Sequence, residues 1–474
     1  MSRFLPVPGA TAAQSNMLAD LQRQFTITPE KLREIVDDMA VEMKKGLVSD
    51  GEALPMIPSF VRGRPTGTEQ GSYLALDFGG TNLRVCRVNL DGKGGITTDQ
   101  QKFVIPEDVK HSNAKVLFDW VADCVSAFLP SEAMASSSVV SQRSHFLNCG
   151  FTFSFAVNQT AINEGVMMLW NKGFTADGVV GHDVVLLLDD AFKRKGVKVH
   201  VSALVNDTVG ALLASAYTRP DSLMGVIFGT GTNAAYYEKM SNITKWNAAA
   251  DPHYHPEDEM AINTEWGAYD CSKRVLPITM FDNRCDRETV NPGKQIFEKM
   301  ISGLFLGEVC RNVILHLIDN LLLFKGFSSP ELNKGYSFDT SYMSTIESDD
   351  TPDLHLVKHV LESVFSIPQA TTLTERRIVQ AVVNMLGNRA ARLSGAALAA
   401  VLKMREDYVQ SQEQVTIGID GSLYEFYPGF DKGLIVTIQE ALGTEIANKV
   451  NLTLAKDGSG VGAAIIAMIA GKGV

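Results

Sequence analysis

An α/β protein of at least two domains is what this sequence predicts, and three observations carry the expectation. The chain has 474 residues, more than the roughly 250–300 at which a single core stops growing. Strand-like and helix-like segments interleave along it instead of segregating, the pattern of layered α/β architectures. The third is an internal echo: Asp77-Phe78-Gly79-Gly80-Thr81-Asn82 and Phe228-Gly229-Thr230-Gly231-Thr232-Asn233 each place a glycine turn between two strand-like runs.

Taken in order, Thr28-Pro29-Glu30 opens a helix with an N-cap, a proline at the first helical position and an acid in the first turn. Leu32, Ile35, Val36, Met39 and Met43 then repeat at helical spacing. Loops follow at 49–51 and 62–67. Strands are predicted over 73–77 and 83–90, flanking the first glycine turn, and over 146–155, 197–205, 225–228, 234–238, 415–419 and 450–454. Helices are predicted over 208–217, 292–324, 373–403 and 459–470. The polar stretch 328–351 reads as a surface excursion.

Composition narrows the function classes. A net charge of −11 argues against a nucleic-acid surface, which needs clustered Lys and Arg. Six cysteines are scattered with no C-x-x-C pair, so reduced cytosolic thiols are expected rather than a zinc site or disulfide framework. The N-terminal residues lack a basic start and an apolar stretch of signal-peptide type. The longest apolar helix candidate, 461–470, is about half the roughly 20 residues a bilayer requires. No membrane partner is expected, and the expected compartment is the cytoplasm.

The first glycine turn could cradle an anion, because glycines let backbone N–H groups approach it closely. Thr81, Asn82 and Arg84 add donors, and Asp77 could reach Mg²⁺ through water. A plain hairpin turn accounts for the same residues. Asp457-Gly458-Ser459-Gly460-Val461-Gly462-Ala463 formally matches a dinucleotide fingerprint, but no second strand or ribose-binding acid follows it. What survives is a glycine-rich helix start suited to phosphate. Asp420-Gly421-Ser422 makes a similar turn, and no P-loop motif occurs. Asp207, in Asn206-Asp207-Thr208, is either a helix N-cap or a carboxylate at a strand end facing a ligand crevice. Glu265 and Glu298 could be ordinary solvated acids, or acceptors for the hydroxyls of a polyol. Lys172 sits in Trp170-Asn171-Lys172-Gly173-Phe174, where aromatic and glycine neighbours suit a constrained loop.

In this order, these segments resemble the hexokinase family from about Phe25 onward. Gly150-Phe-Thr-Phe-Ser-Phe-Ala-Val-Asn-Gln159, continuing to Leu169-Trp-Asn-Lys-Gly-Phe174, looks like its sugar-binding signature. Leu76 to Arg84 and Phe228 to Asn233 look like its two phosphate motifs, and Gly418-Ile-Asp-Gly-Ser422 like its adenosine-side turn. Within the family, 55–61, 305–309 and 456–463 look most like fungal glucokinases. The resemblance implies an actin-like ATPase (ribonuclease H-like) fold with two lobes around an active-site cleft. The small lobe would be 67–213 plus 456–474, and the large lobe 14–66 plus 214–455. It implies ATP-dependent phosphorylation of a hexose, glucose foremost, at the 6-hydroxyl, with Mg²⁺ held mainly by the phosphates and by no dedicated protein ligands. Asp207 would be the base, and Lys172 would support the sugar and the migrating phosphoryl. Ser154, Asn171, Asn206, Asn233, Glu265 and Glu298 would hold the sugar. Asp77, Gly79, Gly80, Thr81, Asn82, Arg84, Thr230, Gly231, Gly421, Ser422 and Ser459 would face the nucleotide. Two positions depart from the family pattern: Ala156 stands where proline is usual and Asn171 where threonine is usual. These bear on affinity and sugar preference, not on the reaction class. A non-catalytic sugar sensor and a filament-forming actin-like ATPase are the competing readings, and homo-oligomer or filament formation is left open.

Overall fold

The computed structural model describes residues 6–129, 146–170, 173–246, 254–455 and 458–471. The strands among them are β1 (Ile57–Arg62), β2 (Gln70–Phe78), β3 (Asn82–Asp91), β4 (Ile96–Val104), β5 (Leu147–Phe153), β6 (Ala156–Ala161), β7 (Glu164–Leu169), β8 (Val199–Val205), β9 (Ser222–Phe228), β10 (Thr232–Lys239), β11 (Glu259–Asn263), β12 (Val415–Asp420) and β13 (Val450–Leu454).

They form two large sheets and one hairpin. The first sheet runs β4-β3-β2-β5-β8; the second runs β1-β11-β10-β9-β12-β13. In the first, β2, β3 and β4 pair antiparallel, and β5 and β8 continue parallel to β2. In the second, β9, β10 and β11 pair antiparallel, and β12 and β13 continue parallel to β9. Setting β1 aside, the two sheets share strand order and polarity. The echo of the glycine turns is therefore an echo of whole sheets, since β2–β3 and β9–β10 occupy equivalent places.

Two helices lie between the sheets. Helix Asp207–Thr218 follows β8 but packs chiefly on the second sheet, whereas Gly458–Gly471 follows β13 and packs on the first. Both are apolar on every side, as centrally buried helices must be: Thr208 to Tyr217 and Gly458 to Met468 are all buried. They cross where Gly210 meets Gly462, and a Cβ on Gly462 would run into the Gly210 backbone. On the outer sides, Gly150 of β5 lies against Ala463, and Gly225 of β9 lies against Leu212, with no room for a Cβ at either. Glycine within a strand often marks such close backbone approach. Helix Asp207–Thr218 spans the 213/214 lobe boundary expected from sequence.

The predicted strands agree with the observed ones to within a few residues, and the capped helix begins at Pro29 with Thr28 accepting from Lys31 N. Two expectations are corrected. The helix predicted over 292–324 is broken into Ile296–Ile301 and Gly303–Asp319, with Ser302 extended between them. The break lets Gly303 N and Leu304 N donate to Gly229 O and Thr230 O, at 2.8 and 3.1 Å. Residues 328–351 are not a mere excursion. They contain helices Pro330–Asn333 and Thr340–Glu347 and bury Leu332, Phe338, Met343 and Ile346 in the main core. Strands β1, β4, β6, β7 and β11 were not foreseen; β4 is an edge strand and almost wholly exposed, so it lacks the apolar alternation that marks a strand.

Candidate active site

Strand register puts four expected site residues along one edge of the first sheet. Asp77 pairs with Thr152, and Thr152 with Val205. Ser154 therefore lies just past the end of β5, and Asn206 and Asp207 just past the end of β8, with neighbouring strands about 4.8 Å apart. This carboxyl edge is where open α/β sheets bind ligands. Asn206 is the helix N-cap: its Oδ1 accepts from Thr208 N at 2.9 Å. Asp207 is the first helical residue, and its Oδ1 accepts from Thr208 N at 2.8 Å. The cap is thus Asn206 and not Asp207, the residue next to it. Ser154 N donates to Phe78 O at 3.2 Å, joining the end of β5 to the first glycine turn.

That turn closes with Gly79 N donating to Asn82 O at 3.0 Å. A Cβ on Gly79 would meet only Asn82 O, at an ordinary 3.5 Å. Packing within the protein does not demand this glycine, which fits a backbone kept bare for a ligand. Thr81 is exposed; Gly80 and Asn82 are half-buried. Behind the turn, Asp77 Oδ2 accepts from Arg84 Nε at 3.1 Å and from Ser459 Oγ at 3.1 Å. Ser459 is buried and ties the helix Gly458–Gly471 to the turn.

The second turn is braced differently. Gly229 N donates to Gly231 O at 3.0 Å, and Glu298 Oε2 accepts from Thr232 N at 2.9 Å. Thr230 is exposed at its tip. Asp420 pairs with Ile227, so Gly421 comes against Phe228; with φ of +120° and Phe228 O where a Cβ would stand, only glycine fits there. Gly229 in turn faces Gly421, and the exposed Ser422 follows directly.

Beyond this turn the acids gather. Asn233 Nδ2 donates to Glu265 Oε1 at 3.0 Å and to Asn263 Oδ1 at 2.8 Å; Asn263 Nδ2 donates to the same Glu265 oxygen at 2.8 Å. Glu265 is left-handed, with φ of 52°, as is Gln295 three residues before Glu298; such backbone strain clusters at functional sites. Burial, and secondarily the Glu298 carboxylate, push the Glu265 carboxyl above the usual glutamate range, against the two amide donors. Trp266 is buried, stacks on Phe228 and donates to Thr232 Oγ1 at 3.0 Å.

The structure thus joins Asp77, Arg84 and Ser459 in one cluster, and Asn233, Glu265 and Glu298 in another. Asn171 and Lys172 lie outside the described residues. Ala156 opens β6, paired with Leu169. Asn263 was missed by the sequence reading, although its spacing of two from Glu265 along an extended segment was a usable signal; Thr232 and Trp266, which brace the second turn, carried none. A separate cavity of 230 Å³ lies between helices Met280–Arg287 and Gly303–Asp319, and none of the expected site residues lines it. Among the described residues no helix is long and apolar enough to cross a membrane.

Comparison with known proteins identifies the family and the fold. Two family models, both described as hexokinase, match residues 17–217 and 223–469. Hexokinase-2 of Candida albicans is 40% identical over 458 residues, covering 96% of this chain and 92% of that protein. Glucokinase of Aspergillus niger is 39% identical over 482 residues, covering 96% and 97%. The crystal structure of a Schistosoma mansoni hexokinase complexed with glucose superposes with a TM-score of 0.82 at 34% identity, covering 96% of this chain and 98% of that one. The fold is accordingly of the actin-like ATPase type. With both sheets, both glycine turns and nearly the full length accounted for, this chain belongs to the hexokinase family.

Proposed function

We propose that this hexose kinase transfers the γ-phosphoryl group of ATP to the 6-hydroxyl of glucose, with Asp207 as the general base. The observation that carries the reading is the convergence of Asp77, Ser154 and Asp207 on one sheet edge, with Asn233, Glu265 and Glu298 gathered beside the second glycine turn. A neutral polyol is held by acceptors that take several hydroxyl donors at once, and Ser154, Asn206, Asn233, Glu265 and Glu298 supply them. Asp207 accepts the hydroxyl proton as the sugar oxygen bonds to phosphorus and the bond to the departing ADP oxygen breaks. The bare amides of Gly79 and Gly80, with Thr81, Asn82, Thr230 and Gly231, would meet the polyphosphate; Gly421 and Ser422 would line the adenosine side. By family likeness alone, Asn171 and Lys172 are assigned to the sugar as well.

Mg²⁺ bound to ATP would supply charge neutralisation on the phosphates. Asp77 fits a role beside it: Oδ2 is taken by Arg84 and Ser459, while Oδ1 accepts no hydrogen bond from the described residues and could take one from a metal-bound water. The lobes would be 67–213 plus 456–474 and 14–66 plus 214–455, and the setting cytoplasmic. Initial rates with glucose, mannose and fructose under saturating Mg-ATP test the assignment. Turnover of glucose supports it, and ATP hydrolysis indifferent to any hexose would refute it.

A further inference from the structure

Both sugar-side glutamates lie on segments that end at one buried carboxylate. Asp286, in the last turn of helix Met280–Arg287, accepts from Lys299 Nζ at 2.8 Å and from Gly293 N at 2.9 Å on Oδ1, and from Lys273 Nζ at 3.1 Å on Oδ2. Lys299 Nζ also donates to Thr289 Oγ1 and to Asn291 O, both at 2.9 Å, so all three of its protons are used. The side chains of Lys299 and Asp286 are only 4% and 7% exposed.

Lys299 directly follows Glu298 in helix Ile296–Ile301. Neighbouring helical side chains point about 100° apart, so Glu298 reaches the second glycine turn while Lys299 reaches in a different direction, to Asp286. Lys273 ends the segment that begins at Glu265. That segment turns through Trp266–Ala268 and is pinned at Asp270, whose carboxylate accepts from the amides of Arg274, Val275 and Leu276 at 2.7 to 2.8 Å. The two segments also touch near the site: a Cβ on Gly267 would stand 3.2 Å from Glu298 Cβ.

Apolar packing does little to fix the intervening loop. Residues 287, 288, 290–292 and 294 are exposed, and Val290 is bare to solvent. A buried ion pair is a poor source of net stability, because desolvation offsets its attraction. Its oriented hydrogen bonds nevertheless define a geometry. We infer that Asp286, Lys299 and Lys273 form a positioning node that fixes the spacing of Glu265 and Glu298, and so sets hexose affinity; the inference rests on the assignment of those two glutamates to the hexose.

The test is steady-state kinetics and thermal melting of Lys299→Met, Asp286→Asn and Lys273→Met, with Glu298→Gln as reference. Outer-shell partners of metal ligands commonly change affinity or activity by about 10–100-fold, and the lower end of that range is the expectation for this node. Lys299→Met is expected to raise the glucose KM at least about tenfold, with the ATP KM within about twofold and kcat lowered less than about threefold. Asp286→Asn and the more exposed Lys273→Met should shift glucose KM in the same direction by about two- to fivefold, and they carry the test if Lys299→Met does not fold. Glu298→Gln should cost less in the Lys299→Met background than in the native protein, since coupled residues are non-additive. Folded Asp286→Asn and Lys273→Met proteins with lowered Tm but unchanged glucose KM would overturn the inference while leaving the hexose site intact. An unchanged glucose KM in Glu298→Gln itself would overturn the site assignment, and this inference with it.

Discussion

The β2–β3 turn and the β9–β10 turn occupy equivalent places in sheets of the same strand order, yet they are built from different chemistry. The first ends its leading strand on a carboxylate, Asp77, clasped by Arg84 and Ser459. At the matching place before the second turn stands Ile227, and the support comes from outside the sheet, from Glu298 and the amides of Gly303 and Leu304. The first turn presents charge where polyphosphate and its metal would lie. The second presents a hydroxyl and bare backbone, then hands on through Asn233 to a pair of glutamates suited to a polyol. A repeated scaffold thus carries two unlike half-sites, and lesions in each should be separable.

The largest effect should come from the first half. Asp207→Ala is expected to lower kcat by about 10²–10⁴-fold, the usual share of general base catalysis, with glucose KM changing far less. Near-normal kcat in a stopped assay would remove Asp207 from its role. Gly79→Ala comes next. Its Cβ meets no clash inside the protein, so Tm should hold nearly unchanged while the ATP KM rises about tenfold, which corresponds to about 1.4 kcal/mol. If glucose KM moves instead, the division of labour between the turns is wrong.

Glu265 sharpens the comparison through pH. Its carboxyl titrates above the usual glutamate range because it is buried and faces Glu298, so the folded protein binds this proton more tightly than the unfolded chain. The stability it contributes is fully present below the unfolded value and is lost as pH rises through the folded one. The ionised form of Glu265 is therefore a stability cost to the folded protein. Glu265→Gln should leave Tm at pH 7 equal or higher while weakening hexose binding. In the native protein, glucose KM should climb as pH falls through the window just above the ordinary glutamate value, and the variant should flatten that climb. A variant that retains the climb would assign it to another group. The smallest effect is expected from Ala156→Pro with Asn171→Thr. Ala156 opens β6, where proline is tolerated, so the pair should lower glucose KM a few-fold with kcat nearly unchanged; a raised KM would mean that this loop is shaped around Ala156 and Asn171.

Much of this was legible in the sequence because it was local. The glycine turns, the Thr28 cap and the β8 strand ending at Asn206-Asp207 are written in consecutive residues. The break at Ser302 was not, because apolar spacing continues across it and its cause, the carbonyls of Gly229 and Thr230, lies far away in sequence. Asn263 was only half legible: its spacing from Glu265 is local, but its bond to Asn233 exists only once β10 and β11 pair. Asp286 gave no sign at all: an acid near two distant lysines looks like any surface charge until the chain folds.

The exchange of helices between the sheets also bears on the order in which the protein can be completed during synthesis. The first sheet emerges early from the ribosome, but one of its faces is covered by helix Gly458–Gly471, translated last of all the elements described. Until then Ala75, Cys86, Val88 and Ala203 lack their apolar neighbours Val461, Ala464 and Ile465. The half made first must wait, part-finished and with exposed apolar surface of the kind chaperones shield, for the half made last to return its helix.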